Sequence, residues 1–134
     1  MLKYTHSQLM IVSIFYEVHM MKLWIDDVRP APEGYIWAKS TYEAINIIKC
    51  YDKISDTLAG LIREPLTLPW FEVISLDHDA GDYVSEGGDY IKVLDFLEEH
   101  FPNIKCDFHI HSMNPVGVEN MRAIIKRNSW TEVR

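Results

Sequence analysis

Cysteine is scarce in this chain. Its 134 residues hold two, Cys50 and Cys106, with neither C-x-x-C nor metal-ligand spacing. That excludes a disulfide framework or zinc-finger site and fits reduced core thiols in a cytoplasmic protein. Basic charge is also short: 13 Lys and Arg stand against 20 Asp and Glu, a formal net charge of -7. An extended surface tracking a nucleic-acid backbone is therefore not expected, although a pocket can still hold one phosphate group. No apolar run approaches the roughly 20 residues of a membrane-spanning helix, so no membrane association is expected. Leu9 to Tyr16 is apolar, but only Lys3 precedes it and no small-x-small cleavage site follows, which argues against a signal peptide. Met20-Met21 stand directly before the first strand pattern, so residues 1–20 are expected to be an N-terminal extension or a mis-assigned start. Internal repeats and low-complexity segments are absent.

What is present suits one folded domain over residues 21–134, with 48% hydrophobic and 25% charged residues. Strand and helix patterns alternate. Lys22 to Ile25 and Tyr35 to Ala38 read as strands, joined by a turn-rich segment, Arg29 to Gly34, too short for a helix. Ser40-Thr41-Tyr42-Glu43 has the form of a capping box, followed by the apolar face Ala44, Ile45, Ile47 and Ile48. Residues 52–70 predict a separate short helix, on Ile54, Leu58, Leu61 and Ile62, and then a loop. Further strands are expected at Glu72 to Leu76, Asp107 to His111 and Trp130 to Val133. Helices are expected after Gly87-Gly88-Asp89, with Ile91, Leu94 and Leu97 inward, and after Asn114-Pro115, with Val118, Met121, Ile124 and Ile125 inward. The predicted fold is α/β: a three-layer open parallel sheet of about five strands, flavodoxin-like, with the first crossover helix missing.

In such sheets ligands gather outside the carboxyl ends of the strands. Three apolar runs here break into polar side chains at those ends: Asp26-Asp27, Asp77-His78-Asp79 and His109-Ile110-His111. Asp26, Asp27, Asp77 and Asp79 crowded together would repel, and a divalent cation, magnesium or manganese, would relieve them. For any one of these aspartates, capping a loop or helix is the rival role. His109 and His111, two apart on a strand, share a side and suit general acid and base work or metal ligation, unless His109 is a satisfied core histidine. His78 is expected to support the site rather than react. Arg29 is the local candidate to grip a phosphate oxygen, with a salt bridge to Asp26 or Asp27 as its alternative. Ser112 is placed to contact phosphate or act as a weak nucleophile. Asn114 is a substrate-binding candidate whose plainer role is the helix N-cap, and the amides at that helix start and at Gly87-Gly88 favour an anion.

Leu23-Trp24-Ile25-Asp26-Asp27-Val28-Arg29-Pro30, Ser75-Leu76-Asp77-His78-Asp79-Ala80-Gly81 and His111-Ser112-Met113-Asn114-Pro115-Val116-Gly117 together resemble the cyclic-phosphate processing receiver domain family. The resemblance covers residues 21 to about 127 and implies a divergent response-regulator receiver fold. It sets Asp26-Asp27 at the receiver's acidic pair, Asp77 at the phosphate-accepting aspartate and Ser112 at the hydroxyl residue. No helix fits between the first two strands and no Lys-Pro follows the last, so the resemblance does not imply the usual phosphorylation switch. What it implies is a metal-assisted phosphoesterase acting on a small cyclic phosphate, a nucleotide or an RNA end. The catalytic set would be His111, His109 and Asp77. A non-catalytic phosphate- or partner-binding module and a phosphoacceptor receiver modified at Asp77 are the alternatives. Substrate identity and oligomeric state stay open.

Overall fold

The computed structural model describes residues 5–10, 13, 21–62 and 71–134. The loop expected beyond residue 62 and most of residues 1–20 lie outside the described residues. Five strands form one parallel sheet: β1 (Met21–Ile25), β2 (Tyr35–Ala38), β3 (Phe71–Leu76), β4 (Asp107–Ile110) and β5 (Thr131–Val133), in the order β2-β1-β3-β4-β5. This is the receiver-like, flavodoxin-like α/β arrangement. No helix separates β1 from β2. From residue 21 onward the helices among the described residues are α1 (Thr41–Ile62), α2 (Ile91–His100) and α3 (Pro115–Arg127), with a short 3-10 turn at Gly81–Tyr83.

α1 starts where the capping residues stand. Ser40 Oγ accepts the Glu43 N–H at 3.0 Å, and the Glu43 carboxylate reaches back to the Lys39 N–H at 3.1 Å, one residue earlier than in a standard capping box. Ser40→Ala should cost about 1 kcal/mol, read as a lower urea midpoint at unchanged slope. The helix then continues to Ile62 without a break, where two pieces were expected. Gly60 costs only about 1 kcal/mol in a helix interior, too little to stop a helix already anchored by buried Ala44 and Ile48. Leu61, one of the apolar residues at helical spacing, is 56% exposed. Of the two cysteines expected in the core, Cys106 packs partly against it and Cys50 departs. Cys50 is exposed on α1, and Cys106 is partly buried before β4, where burial and then Asp107 push its thiol well above the ordinary range.

α2 buries Val93, Leu94 and Leu97, with Ile91 packed partly against the core. α3 opens on Asn114, whose side-chain oxygen accepts the Gly117 N–H at 3.0 Å, with Pro115 next. It buries Met121, Ile124 and Ile125.

Side chains alternate across a strand, and this alternation sorts the sheet by function. Leu23, Ile25, Ala38, Ile74, Leu76 and Phe108 share one apolar cluster with the inward residues of all three helices. Each fully buried Leu or Ile contributes about 1.5–3 kcal/mol. The alternate positions Trp24, Ser75 and His109 lie in one row, since Trp24 pairs with Ser75 and Ser75 with His109. One step further along the same face come Asp26, Asp77 and His111. The chemistry-bearing residues therefore occupy the sheet face away from the helical core.

Candidate active site

Backbone ladders run one residue past each strand. The Asp26 N–H bonds to Ala38 O at 3.2 Å, Asp77 N–H to Ile25 O at 2.9 Å, and His111 N–H to Leu76 O at 2.9 Å. These bonds fix Asp26, Asp77 and His111 as neighbours. Oxygens of Asp26, Asp27 and Asp77 lie within 4.8 Å of one another.

Asp26 is completely buried. Its Oδ1 accepts the Val28 and Arg29 N–H groups at 2.9 and 2.8 Å. Its Oδ2 lies 2.9 Å from His111 Nε2 and 3.3 Å from Arg29 Nε. Burial alone would raise its pKa, but the Arg29 and Val28 amides and His111 together hold the carboxyl below its usual range. Two indoles brace the loop: Trp37 Nε1 donates to Asp26 O at 2.8 Å and Trp24 Nε1 to Arg29 O at 2.9 Å. Arg29 also approaches Asp77, with Nη2 3.7 Å from Oδ2. Asp77 Oδ1 accepts the His78 N–H at 2.7 Å.

Asp27 has the opposite electrostatics. Burial and then the charges of Asp26 and Asp77 push its carboxyl above the usual value, against a bond to its own backbone. It packs on Gly81, where φ is +53° and any Cβ would overlap Asp27 Oδ2. Three hard oxygen donors in mutual repulsion fit a divalent cation. Asp27 and Asp77 are the carboxylates better placed to ligate, whereas Asp26, already facing four N–H groups, supplies charge more than an open lone pair.

The histidines are joined by a residue that the sequence reading passed over. Ser75 Oγ lies 2.7 Å from His109 Nδ1 and 2.8 Å from His111 Nδ1. His111 is further held by Trp24, whose ring stacks on it at 3.8 Å and 5° from parallel. Burial pushes the His111 imidazole below its ordinary 6.5, although Asp26 pulls the other way. The folded state then binds fewer protons than the unfolded chain just below 6.5. Stability is expected to be full above that value and to decline as pH falls through the lowered folded pKa. Urea midpoints at about pH 8 and about pH 5.5 for wild type and His111→Gln check this, and the variant should show a flatter dependence.

Asp79 does not join the carboxylate trio; it groups with His78 and Asp89. Its side chain is 59% exposed, accepts from His78 Nδ1 at 2.8 Å and takes an Asn114 Nδ2 hydrogen bond at 3.2 Å. Those bonds, His78 first, hold its carboxyl below the usual range. The expected four-carboxylate set is therefore corrected to three, because the chain leaves the strand at Asp77 and Asp79 turns toward the start of α3. His78 packs there against Gly117, where any Cβ would overlap the imidazole. Ser112 Oγ accepts the Asn114 N–H at 3.1 Å, tying both to the same turn. The Gly87-Gly88 turn docks on α1: Thr41 Oγ1 donates to Gly88 O at 3.0 Å, and a Cβ at Gly87 would press on Tyr42 and Thr41.

Ser75 and Trp24 are the site residues that sequence reasoning missed. Ser75 did leave a signal, as the one hydroxyl in the otherwise apolar Val73–Leu76 stretch. No helix among the described residues is long and apolar enough to cross a membrane. No curated protein and no solved structure matches the chain. The family model of the cyclic-phosphate processing receiver domain matches residues 21–127, from β1 to the end of α3. The match spans all three strand endings that build the site, and the chain belongs to the cyclic-phosphate processing receiver domain family.

Proposed function

We propose that this protein is a phosphoesterase that opens a small cyclic phosphate, on a nucleotide or an RNA end, by attack of water. The observation that carries the reading is the meeting of Asp27 and Asp77, Arg29 and a hydrogen-bonded histidine pair on one sheet face. Water forms the new P–O bond, its proton passes to a histidine nitrogen, and the ring P–O bond breaks. The leaving oxygen then takes up a proton from water, and the imidazolium returns its own to solvent. Arg29, 45% exposed at its side chain, faces the charge that grows on the non-bridging oxygens. When bound at Asp27 and Asp77, magnesium or manganese would neutralise the carboxylates and polarise phosphate oxygens. Ser112 and Asn114, held together beside His78, would border the ligand rather than react. The acidic balance of the chain favours a small ligand over an extended nucleic acid.

The test is turnover of 2′,3′-cyclic nucleotides and cyclic-phosphate RNA ends by protein dialysed free of metal and resupplied with magnesium or manganese. Activity should require the metal and disappear in Asp77→Ala. Equal turnover by wild type and variant would sink the reading. A second reading, a phosphoacceptor receiver, is favoured by one observation: Asp77 follows β3 with Oδ2 turned toward Arg29. An acyl phosphate donor would then transfer its phosphoryl group to Asp77 and release its own carboxylate, detected as a mass increase in promptly quenched protein.

A further inference from the structure

Ser75 sets the protonation pattern of both histidines. A hydroxyl carries one proton, so Ser75 Oγ donates to one of the two Nδ1 atoms and accepts from the other. His111 decides which. Its Nε2 faces the Asp26 carboxylate at 2.9 Å, and an ionised carboxylate only accepts. His111 Nε2 therefore carries the hydrogen, and a neutral ring then has its lone pair on Nδ1. Ser75 donates to that lone pair. Its oxygen accepts in turn from His109 Nδ1–H, which leaves the lone pair of neutral His109 on Nε2. Among the described residues the one buried side-chain polar atom without a partner is Ser55 Oγ. His109 Nε2 has no hydrogen-bond partner among the described residues, so it is open to solvent.

We infer that Ser75 is a positioning residue that locks His109 as the Nδ1–H tautomer and presents its Nε2 lone pair as the base of the site. The chemical use of that lone pair rests on the phosphoesterase reading; the tautomer does not. In the reaction, Nε2 takes the proton of the attacking water, and the resulting imidazolium keeps its Nδ1–H on Ser75. His111, with both nitrogens committed and one face against Trp24, holds Asp26 and Ser75 in place.

Histidine tautomers are read directly from two-bond 1H–15N correlations of 15N-histidine-labelled protein, at about pH 8 and without metal or substrate. His109 is expected as Nδ1–H and His111 as Nε2–H. In Ser75→Ala, His109 should revert to the Nε2–H form that a solvated imidazole prefers, whereas Ser75→Thr, which keeps the hydroxyl, should retain Nδ1–H. An Nε2–H His109 in the wild type, or an Nδ1–H His109 that survives Ser75→Ala, overturns the inference. The expected tautomers in a protein that turns over no cyclic phosphate would leave the Ser75 assignment standing and remove the phosphoesterase reading instead.

Discussion

Replacing His109 with glutamine is expected to lower turnover of a 2′,3′-cyclic nucleotide by roughly a hundred- to ten-thousand-fold, the span that a positioned general base contributes. Folding should change little, because the ring is only partly buried and its hydrogen bond among the described residues is the one to Ser75. His111→Gln should behave differently. That ring touches Asp26, Ser75 and the face of Trp24, so its loss should lower the urea midpoint together with the activity. Steady-state kcat at saturating metal, set beside the midpoints of the same preparations, separates the two. A folded His111→Gln protein with the greater loss of kcat would assign the base to His111 instead.

Asp26→Ala is expected to be the most destabilising single change in the site, at about 3 kcal/mol. Removing one partner leaves buried donors unsatisfied at about 1–3 kcal/mol each, and Asp26 receives the Val28 and Arg29 amides as well as His111. For a domain of this size that is on the order of a 10 °C fall in Tm. Asp27→Asn should move Tm the other way in metal-free protein. The Asp27 carboxyl is strained by burial and by its two acidic neighbours, and neutralising it relieves both. Calorimetry with and without magnesium checks the pair of signs, because the metal should stabilise wild type more than Asp27→Asn. Equal Tm for wild type and Asp26→Ala would show that the loop amides find other partners.

The sequence announced the parts of this protein governed by local chemistry. Apolar runs ending in acids located β1 and β3, the Ser40-Glu43 pair located the start of α1, and Asn114-Pro115 located the start of α3. It was less informative wherever tertiary contact overrode a local signal. Gly60 marks a helix end in isolation, yet α1 runs through it. Asp79 sits two residues from Asp77 and still belongs to a different cluster, because the loop after β3 is tied to Asp89 and Tyr90 through Ala80 N–H and His78 O, while the Asp79 side chain is held by Asn114. The inference that His109 rather than His111 is the base depends on register. Only the pairing of Ser75 with His109 places a hydroxyl between the rings, and no spacing along the chain reveals it.

The stack of Trp24 on His111 also makes the site visible from outside. An imidazolium lying flat against an indole quenches its emission, whereas a neutral imidazole does so far less. At 3.8 Å and 5° from parallel, Trp24 is therefore an intrinsic fluorophore wired to the charge on His111. Once Trp70 and Trp130 are replaced with phenylalanine, with Trp37 kept to brace the loop at Asp26, ligand arrival can be timed by stopped-flow fluorescence with no label attached.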